Sequence, residues 1–230
     1  MPDISQIPSK YYFQCQNRKK HIERVAKANL PTRFGKFTIH AFCNSIDWLE
    51  HVAIVKGDVA GRQDVPVRIH SECVTGDALG SVKCDCRDQL EATLKFLGKQ
   101  KFGVLLYMRQ EGRGIGLINK VRAYSLQDMG YDTVDANLKL GLPEDLRDYR
   151  IASEMLKLLG IKSIVLISNN PAKAADLRRH GIKIAGFAKL VIPPRKENID
   201  YLRIKNKKMG HKIALFDLPT DFNIKTKILK

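Results

Sequence analysis

Cys73, Cys84 and Cys86 fall within 14 residues and follow the spacing C-x10-C-x-C. Thiolates suit zinc and other thiophilic metals. A closed structural zinc site takes four ligands, often from paired C-x2-4-C knuckles. Three protein ligands leave the fourth position for water, which the metal makes acidic near neutral pH. Spacing alone leaves three readings open: unrelated cysteines, a structural site closed by His70, or an open catalytic site. The polar density of the surrounding RIHSECVTGDALGSVKCDCRDQ favours a site. Cys15 and Cys43 stand alone and read as small core residues. Without a secretory leader, clustered cysteines point to metal or catalysis rather than to disulfides.

His70-x-Glu72 matches the H-x-E half of the zinc nucleobase deaminase signature, but its P-C-x-x-C half is missing, since the pair is C-x-C. Even so, a carboxylate beside a metal-bound water is suited to proton traffic in ring hydrolysis.

A second group of residues suits an anion. Arg109-Gln110-Glu111-Gly112-Arg113-Gly114-Ile115-Gly116 lies between a strand-like and a helix-like run. Glycines there let backbone amides approach phosphate, and arginines bind its oxygens. The segment matches neither the P-loop nor the dinucleotide fingerprint, and by pattern it is equally an ordinary glycine-rich connection. Residues 143–149 (PEDLRDY) read as an acidic first helical turn. Ser168-Asn169-Asn170-Pro171-Ala172-Lys173 sits between a strand and a helix, where α/β sheets often contact ligands, though a capping turn explains it as well.

The elements that must hold these groups are legible in outline. Residues 37–42, 52–56 and 65–69 read as strands, being rich in β-branched or aromatic residues and bounded by turns. Residues 88–98 have helical spacing and end at a glycine, 102–108 form an apolar strand, and 115–129 and 150–159 read as helices. Residues 164–167 are a buried strand, Pro171 starts a helix that Gly181 ends, and 182–187 form a last strand. The expectation is an α+β fold, a mixed β-sheet with packed helices. Residues 1–20 are expected to be loosely ordered. The segment after Pro193-Pro194 is expected to be a basic tail with one helix at most.

At 230 residues the chain holds one large domain or two small ones, and no linker separates two. The 40 Lys and Arg against 24 Asp and Glu leave +16. Residues 1–36 carry +6 and residues 200–230 carry +5, so the excess concentrates at the ends. A basic balance suits an anionic partner, or is simply a solvated surface. Nucleic-acid binding would need a closed metal site and aromatics interleaved with the basic residues. Aromatics are only 7% and are not concentrated in the tails, which argues against it. No apolar run approaches the roughly 20 residues that span a bilayer. No signal-peptide core is visible, and a cytoplasmic protein is expected.

Taken in order, RIHSECVTGDALGSVKCDC, MRQEGRGIGLINKVRAYSLQDMGYDTVDAN, DLRDY, SNNPAK and KMGH resemble the GTP cyclohydrolase II family over residues 24–211. Enzymes of that family open the guanine ring of GTP at the start of riboflavin synthesis. The resemblance implies one zinc per subunit on Cys73, Cys84 and Cys86, magnesium with the triphosphate, and a homodimer. It implies GTP contacts from Arg68, Ile69, His70, Ser71, Glu72, Gln89, Glu111, Gly112, Arg113, Thr133, Ser168 and Lys173. Position 168 is usually threonine in the family, and serine keeps the hydroxyl. Tyr124 falls near the purine, Asp145 on the family's proposed proton acceptor, and Arg147 on its proposed nucleophile towards the α-phosphate. An arginine is a poor nucleophile because it stays protonated, so a charge-stabilising role competes with that one. The implied products are 2,5-diamino-6-(5-phosphoribosylamino)pyrimidin-4-one, formate and pyrophosphate. A sibling activity would stop at the formamidopyrimidine. The catalytic domain is expected at 21–212, with an N-terminal extension at 1–20 and a basic tail at 213–230.

Overall fold

The computed structural model describes residues 22–143, 145–190, 192–193 and 224–225. β1 (Ile22–Thr32) and β2 (Gly35–Asn44) form an antiparallel hairpin, and β3 (His51–Lys56) extends it, also antiparallel. The expected strands at 37–42, 52–56 and 65–69 are present, the last within β4 (Val65–Ser71). β1 carries no strand signature in the sequence. It is an edge strand and mostly exposed, so it needs no apolar alternation, and an edge tolerates Pro31.

From β4 onward, helices and parallel strands alternate. A π-helical turn (Val74–Ala78) and α1 (Cys86–Gly98) lead to β5 (Gly103–Met108) on one side of β4. A 3-10 turn (Glu111–Gly114), α2 (Gly116–Asp128), α3 (Thr133–Lys139) and α4 (Arg150–Leu158) lead to β6 (Ile164–Ile167) on its other side. α5 (Pro171–Arg179) then leads to β7 (Ile184–Leu190), parallel to β6. The two-residue β8 (Ile224–Lys225) pairs antiparallel with β7. The sheet order is β1-β2-β3-β5-β4-β6-β7-β8, a mixed sheet with helices packed on it, as expected. The seven-residue α3 is too short to show a period and is absent from the sequence reading. The rest of the expected N-terminal extension and C-terminal tail, with its helix, lies outside the described residues.

Successive strand residues face opposite sides of a sheet. Val67, Ile69, Val104, Leu106 and Leu166 pack with Ile151, Met155, Leu156 and Leu177 of α4 and α5. On the other face, Leu105, Val165 and Ile167 pack with Ala92, Leu94 and Leu97 of α1. Each fully buried Leu or Ile contributes about 1.5–3 kcal/mol. The same alternation turns Arg68 and His70 to the α1 face, opposite Val67 and Ile69. Strand order reverses at β4, since β5 and β6 flank it, and ligands bind at the carboxyl ends beside such a switch. Cys43 is buried on β2 and disulfide-bonded, not an isolated core thiol. Among the described residues no helix is long and apolar enough to cross a membrane.

Candidate functional site

The segments leaving β4, β5 and β6 meet over the start of α1 and line a cleft of about 410 Å³. Arg68, Ile69, His70, Ser71, Glu72, Cys73, Cys84, Cys86, Gln89, Glu111, Gly112, Arg113, Tyr124, Arg147, Ser168 and Lys173 all line it. Asp145 lies instead in an adjoining cleft of about 480 Å³, and Arg147 lines both. Thr133 heads α3, and its side chain is not among those described.

Cys73 ends the β4 segment and precedes the π-helical turn, while Cys86 opens α1. One sulfur from each of the three cysteines lies within 4.8 Å of the others. Cys73 Sγ and Cys84 Sγ are 3.7 Å apart. Ligands bound tetrahedrally at about 2.3 Å from zinc lie about 3.8 Å from one another, so the thiols fit a single zinc ion. His70 does not close the set: neither of its ring nitrogens joins the three sulfurs within 4.8 Å, and its Nε2 lies 3.0 Å from Asp77 Oδ2. Gly76 makes room for the cluster: a Cβ there would meet Cys84 Sγ at 2.7 Å and Cys73 Sγ at 3.1 Å. Hydrogen bonds from Cys84 and Cys86 hold the Cys73 thiol far below the ordinary thiol range, and Lys120 adds to them against burial. The same contact with Cys73 pushes Cys84 up to about 11.

Residues that the sequence reading did not single out hold this arrangement. Asp77 Oδ2 accepts from Cys73 N at 3.0 Å and from the Tyr107 hydroxyl at 2.9 Å. The Tyr107 ring stacks on His70, with centroids 5.5 Å apart. Lys120 Nζ donates to Cys73 Sγ at 3.0 Å and to Glu111 Oε1 at 2.8 Å. Burial works against its ammonium, but these two partners raise Lys120 above the ordinary lysine range. Lys120 and Tyr124 are spaced i, i+4 on α2, a signal that both face one site. Tyr124 stands between two cations, with Lys83 5.0 Å and Lys120 5.7 Å from its ring centroid, and its hydroxyl is 3.4 Å from Thr75 Oγ1. Asp77 lies within the polar stretch around the cysteines, but no spacing rule marks it.

The cleft also holds donors without acceptors. Arg68 Nε, Ser71 Oγ and Arg113 Nη1 are buried with no hydrogen-bond partner. Such atoms are costly unless a ligand satisfies them. The rest of Arg68 is anchored: Nη1 donates to Ile167 O at 3.0 Å and Nη2 to Gln89 Oε1, whose amide in turn donates to Asp85. Ile69 contributes main chain only, since its side chain is in the α4 core and its carbonyl accepts from Lys173 Nζ at 2.9 Å. The Glu111 carboxylate is occupied by Val74 N, Gly112 N and Lys120. Burial raises the Glu72 carboxyl, with Arg109 opposing it and Glu111 and Asp77 adding to it.

The segment around Arg147 is held to the glycine-rich turn. Leu146 N donates to Arg113 O at 3.0 Å, and a Cβ at Gly114 would meet Leu146 Cβ at 3.0 Å. Arg147 Nε donates to Asp145 Oδ1 at 2.8 Å, and Arg147 N to the same oxygen at 3.0 Å. Burial opposes the Asp145 charge, but Arg147 outweighs it and lowers the carboxyl. At the third segment both readings hold. Asn170 caps α5 by accepting from Ala172 N at 2.9 Å, while Ser168 and Lys173 line the cleft. In the adjoining cleft Asp148, Asp176 and His180 cluster, but Asp148 pairs with Arg150 and Asp176 with Arg179.

Buried thiols beside orphaned guanidinium and hydroxyl donors, at the switch point of a mixed sheet, define an enzyme cleft for an anionic ligand. The chain belongs to the GTP cyclohydrolase II family, whose model matches residues 23–189. It is 57% identical over 190 residues to the GTP cyclohydrolase-2 of Picrophilus torridus, covering 83% of this chain and 98% of that protein. It is 53% identical to the riboflavin biosynthesis protein RibBA of Synechocystis sp. and 50% identical to that of Bacillus cereus, covering 84% of this chain in both. The chain spans 35% and 49% of the length of those two relatives. A crystal structure of RibBX, a two-domain 3,4-dihydroxy-2-butanone 4-phosphate synthase from A. baumannii, matches 66% of this chain and 35% of its own at a TM-score of 0.37 and 19% identity, too slight a likeness to bear on the fold.

Proposed function

We propose that the protein hydrolyses GTP to 2,5-diamino-6-(5-phosphoribosylamino)pyrimidin-4-one with release of formate and pyrophosphate, as the first step of riboflavin biosynthesis. The observation that carries this reading is one cleft lined by three clustered thiols and by three residues with orphaned buried donors. Cys73, Cys84 and Cys86 would hold one zinc ion per subunit, which when bound supplies Lewis acidity and an acidified water. Arg68, Ser71 and Arg113 supply donors to the triphosphate, Lys173 adds positive charge, and magnesium accompanies the phosphates. Glu72, its carboxyl raised by burial, is suited to carry a proton at the purine, and the Tyr124 hydroxyl orients groups near the cluster. Arg147 is favoured as a stabiliser of charge at the α-phosphorus rather than as a nucleophile. Its Nε and Nη2 are already engaged by Asp145, and a carboxylate lowered by that pairing is a poor base.

A homodimer is part of the proposal. Leu117, Ile118 and Val121 form an exposed apolar stripe on α2 that suits a second copy. A cytoplasmic location is proposed with it. The test is a product assay: purified protein with GTP, magnesium and zinc, beside Cys84→Ser. Formate and pyrophosphate together, both lost in the variant, are the expected result. Pyrophosphate without formate would overturn the ring-opening reading, and a formamidopyrimidine product would point to the sibling activity.

A further inference from the structure

Lys120 has no part in the chemistry proposed above, yet its ammonium lies at hydrogen-bond distance from a sulfur of the thiol cluster. We propose that Lys120 is a positioning residue for the metal centre: its ammonium hydrogen-bonds the Cys73 thiolate and so sets the Lewis acidity of the site. This inference rests on the three-thiolate zinc reading.

The geometry is specific. Lys120 Nζ lies 3.0 Å from Cys73 Sγ and 2.8 Å from Glu111 Oε1, and the side chain is 11% exposed. Both Glu111 oxygens are engaged by the chain itself. Its Oε2 accepts from Val74 N at 2.6 Å, one residue beyond Cys73, and its Oε1 also accepts from Gly112 N at 2.9 Å. The carboxylate thus ties α2, the glycine-rich turn and the Cys73 loop together and aims the ammonium at sulfur. Cys73 is held from the other side as well, where its N–H donates to Asp77. Lys83 makes a useful contrast. It also lies over the Tyr124 ring, but it is 46% exposed and pairs with Asp128 at the surface.

Charge supplies the reason. Three thiolates around a divalent cation leave one negative charge in a cleft lined with donors for an anion. An ammonium at hydrogen-bond distance, shared with the Glu111 carboxylate, offsets part of it where screening by water is weak. A hydrogen bond to a thiolate also lowers the energy of its lone pairs. The sulfur then donates less to the metal, which becomes the stronger Lewis acid, and partners of this kind tune metal sites as much as the ligands do. A plain Lys120–Glu111 ion pair would stabilise the fold but leave sulfur donation unchanged.

Cobalt(II) in place of zinc reports sulfur donation directly, through the energy of the thiolate-to-cobalt charge-transfer band. In Lys120→Met the band is expected at lower energy than in wild type, and Lys120→Arg, which keeps a charged donor, is expected to move it back. In the zinc forms Lys120→Met is expected to lower kcat by about 10–100-fold, with KM for GTP little changed. A band at the wild-type energy in Lys120→Met would overturn the inference. If that variant does not fold or takes up no cobalt, Lys120→Ala, likewise without a donor, carries the same test, and an unshifted band there overturns it equally. Wild-type protein that binds cobalt without any thiolate band refutes the three-thiolate reading itself, so the two failures are distinguishable.

Discussion

Replacing Gly76 with alanine places a methyl group inside the three-sulfur cluster. The new Cβ would lie 2.7 Å from Cys84 Sγ, 3.1 Å from Cys73 Sγ and 3.1 Å from Cys86 Cβ. Non-bonded heavy atoms settle at about 3.5–4.0 Å, so Cys84 Sγ has to retreat by roughly 0.8 Å or more. A metal site tolerates deviations of about 0.2 Å in its ligand distances. Gly76 is buried, and Cys86 is anchored in the first turn of α1, so the sulfurs have little freedom to move together. Overpacking of this kind costs about 1–3 kcal/mol. Borne by the zinc-bound state alone, that is about a 5–150-fold loss of zinc affinity, since about 1.4 kcal/mol is tenfold. Any strain that the metal-free protein shares appears instead as a lower melting temperature. The assay is competition for zinc against a chromophoric chelator, with thermal unfolding of the metal-free protein alongside. Zinc affinity and melting temperature both at wild-type values would refute the claim that this glycine is required by the packing of the thiols.

Three further outcomes are expected. Ser71→Ala removes a buried hydroxyl that has no partner, so stability should hold or rise while KM for GTP climbs by about tenfold or more, the worth of a hydrogen bond to a charged group; an unchanged KM would show that the hydroxyl does not meet the substrate. Arg147→Lys keeps a charge but loses the two-pronged grip on Asp145, so pyrophosphate release should slow yet persist, whereas complete loss with intact GTP binding would favour the covalent role. The third concerns acid. Burial, with Arg24 and Lys27 adding to it, lowers His40 to about 4, and burial also lowers His51 against the pull of Asp47. A histidine lowered in the folded state favours folding while neutral, so its contribution is whole above pH 6.5 and is lost as pH falls from 6.5 towards 4. His40 alone accounts for at most about 3 kcal/mol of that loss. The denaturation midpoint should drop between pH 7 and 5 by less in His40→Gln than in wild type, and equal drops would remove His40 from the account.

Much of the sheet and helix pattern is legible because burial imposes a period. β4 sets Val65, Val67 and Ile69 at alternate positions, α4 repeats its apolar residues along one face, and β5 and β6 are continuous apolar runs buried on both sides. β1 escapes because only its Ile22 end is buried, so nothing in its side chains had to alternate. At the site, cysteine spacing and the glycine-arginine run are local signals. They mark Cys73, Cys84, Cys86, Gly112 and Arg113 without any fold in hand.

What the fold adds is the company these residues keep. Asp77, Tyr107 and Lys120 come from the π-helical turn, β5 and α2, and no spacing in the chain announces that they meet around Cys73 and His70. Nor could spacing distinguish an open three-thiol site from one closed by His70. That depended on where β4 puts the imidazole, whose nitrogens lie outside the three-sulfur group. Ile69 and Glu111 lie within motif stretches, yet only packing sends the Ile69 side chain into the core and spends the Glu111 oxygens on the chain itself. Residue types and their local order determined the chemistry available to this protein, because a thiol or a guanidinium carries its reactivity wherever it sits. Partners, burial and charge were decided by the tertiary structure, because they depend on distances between segments far apart in the chain.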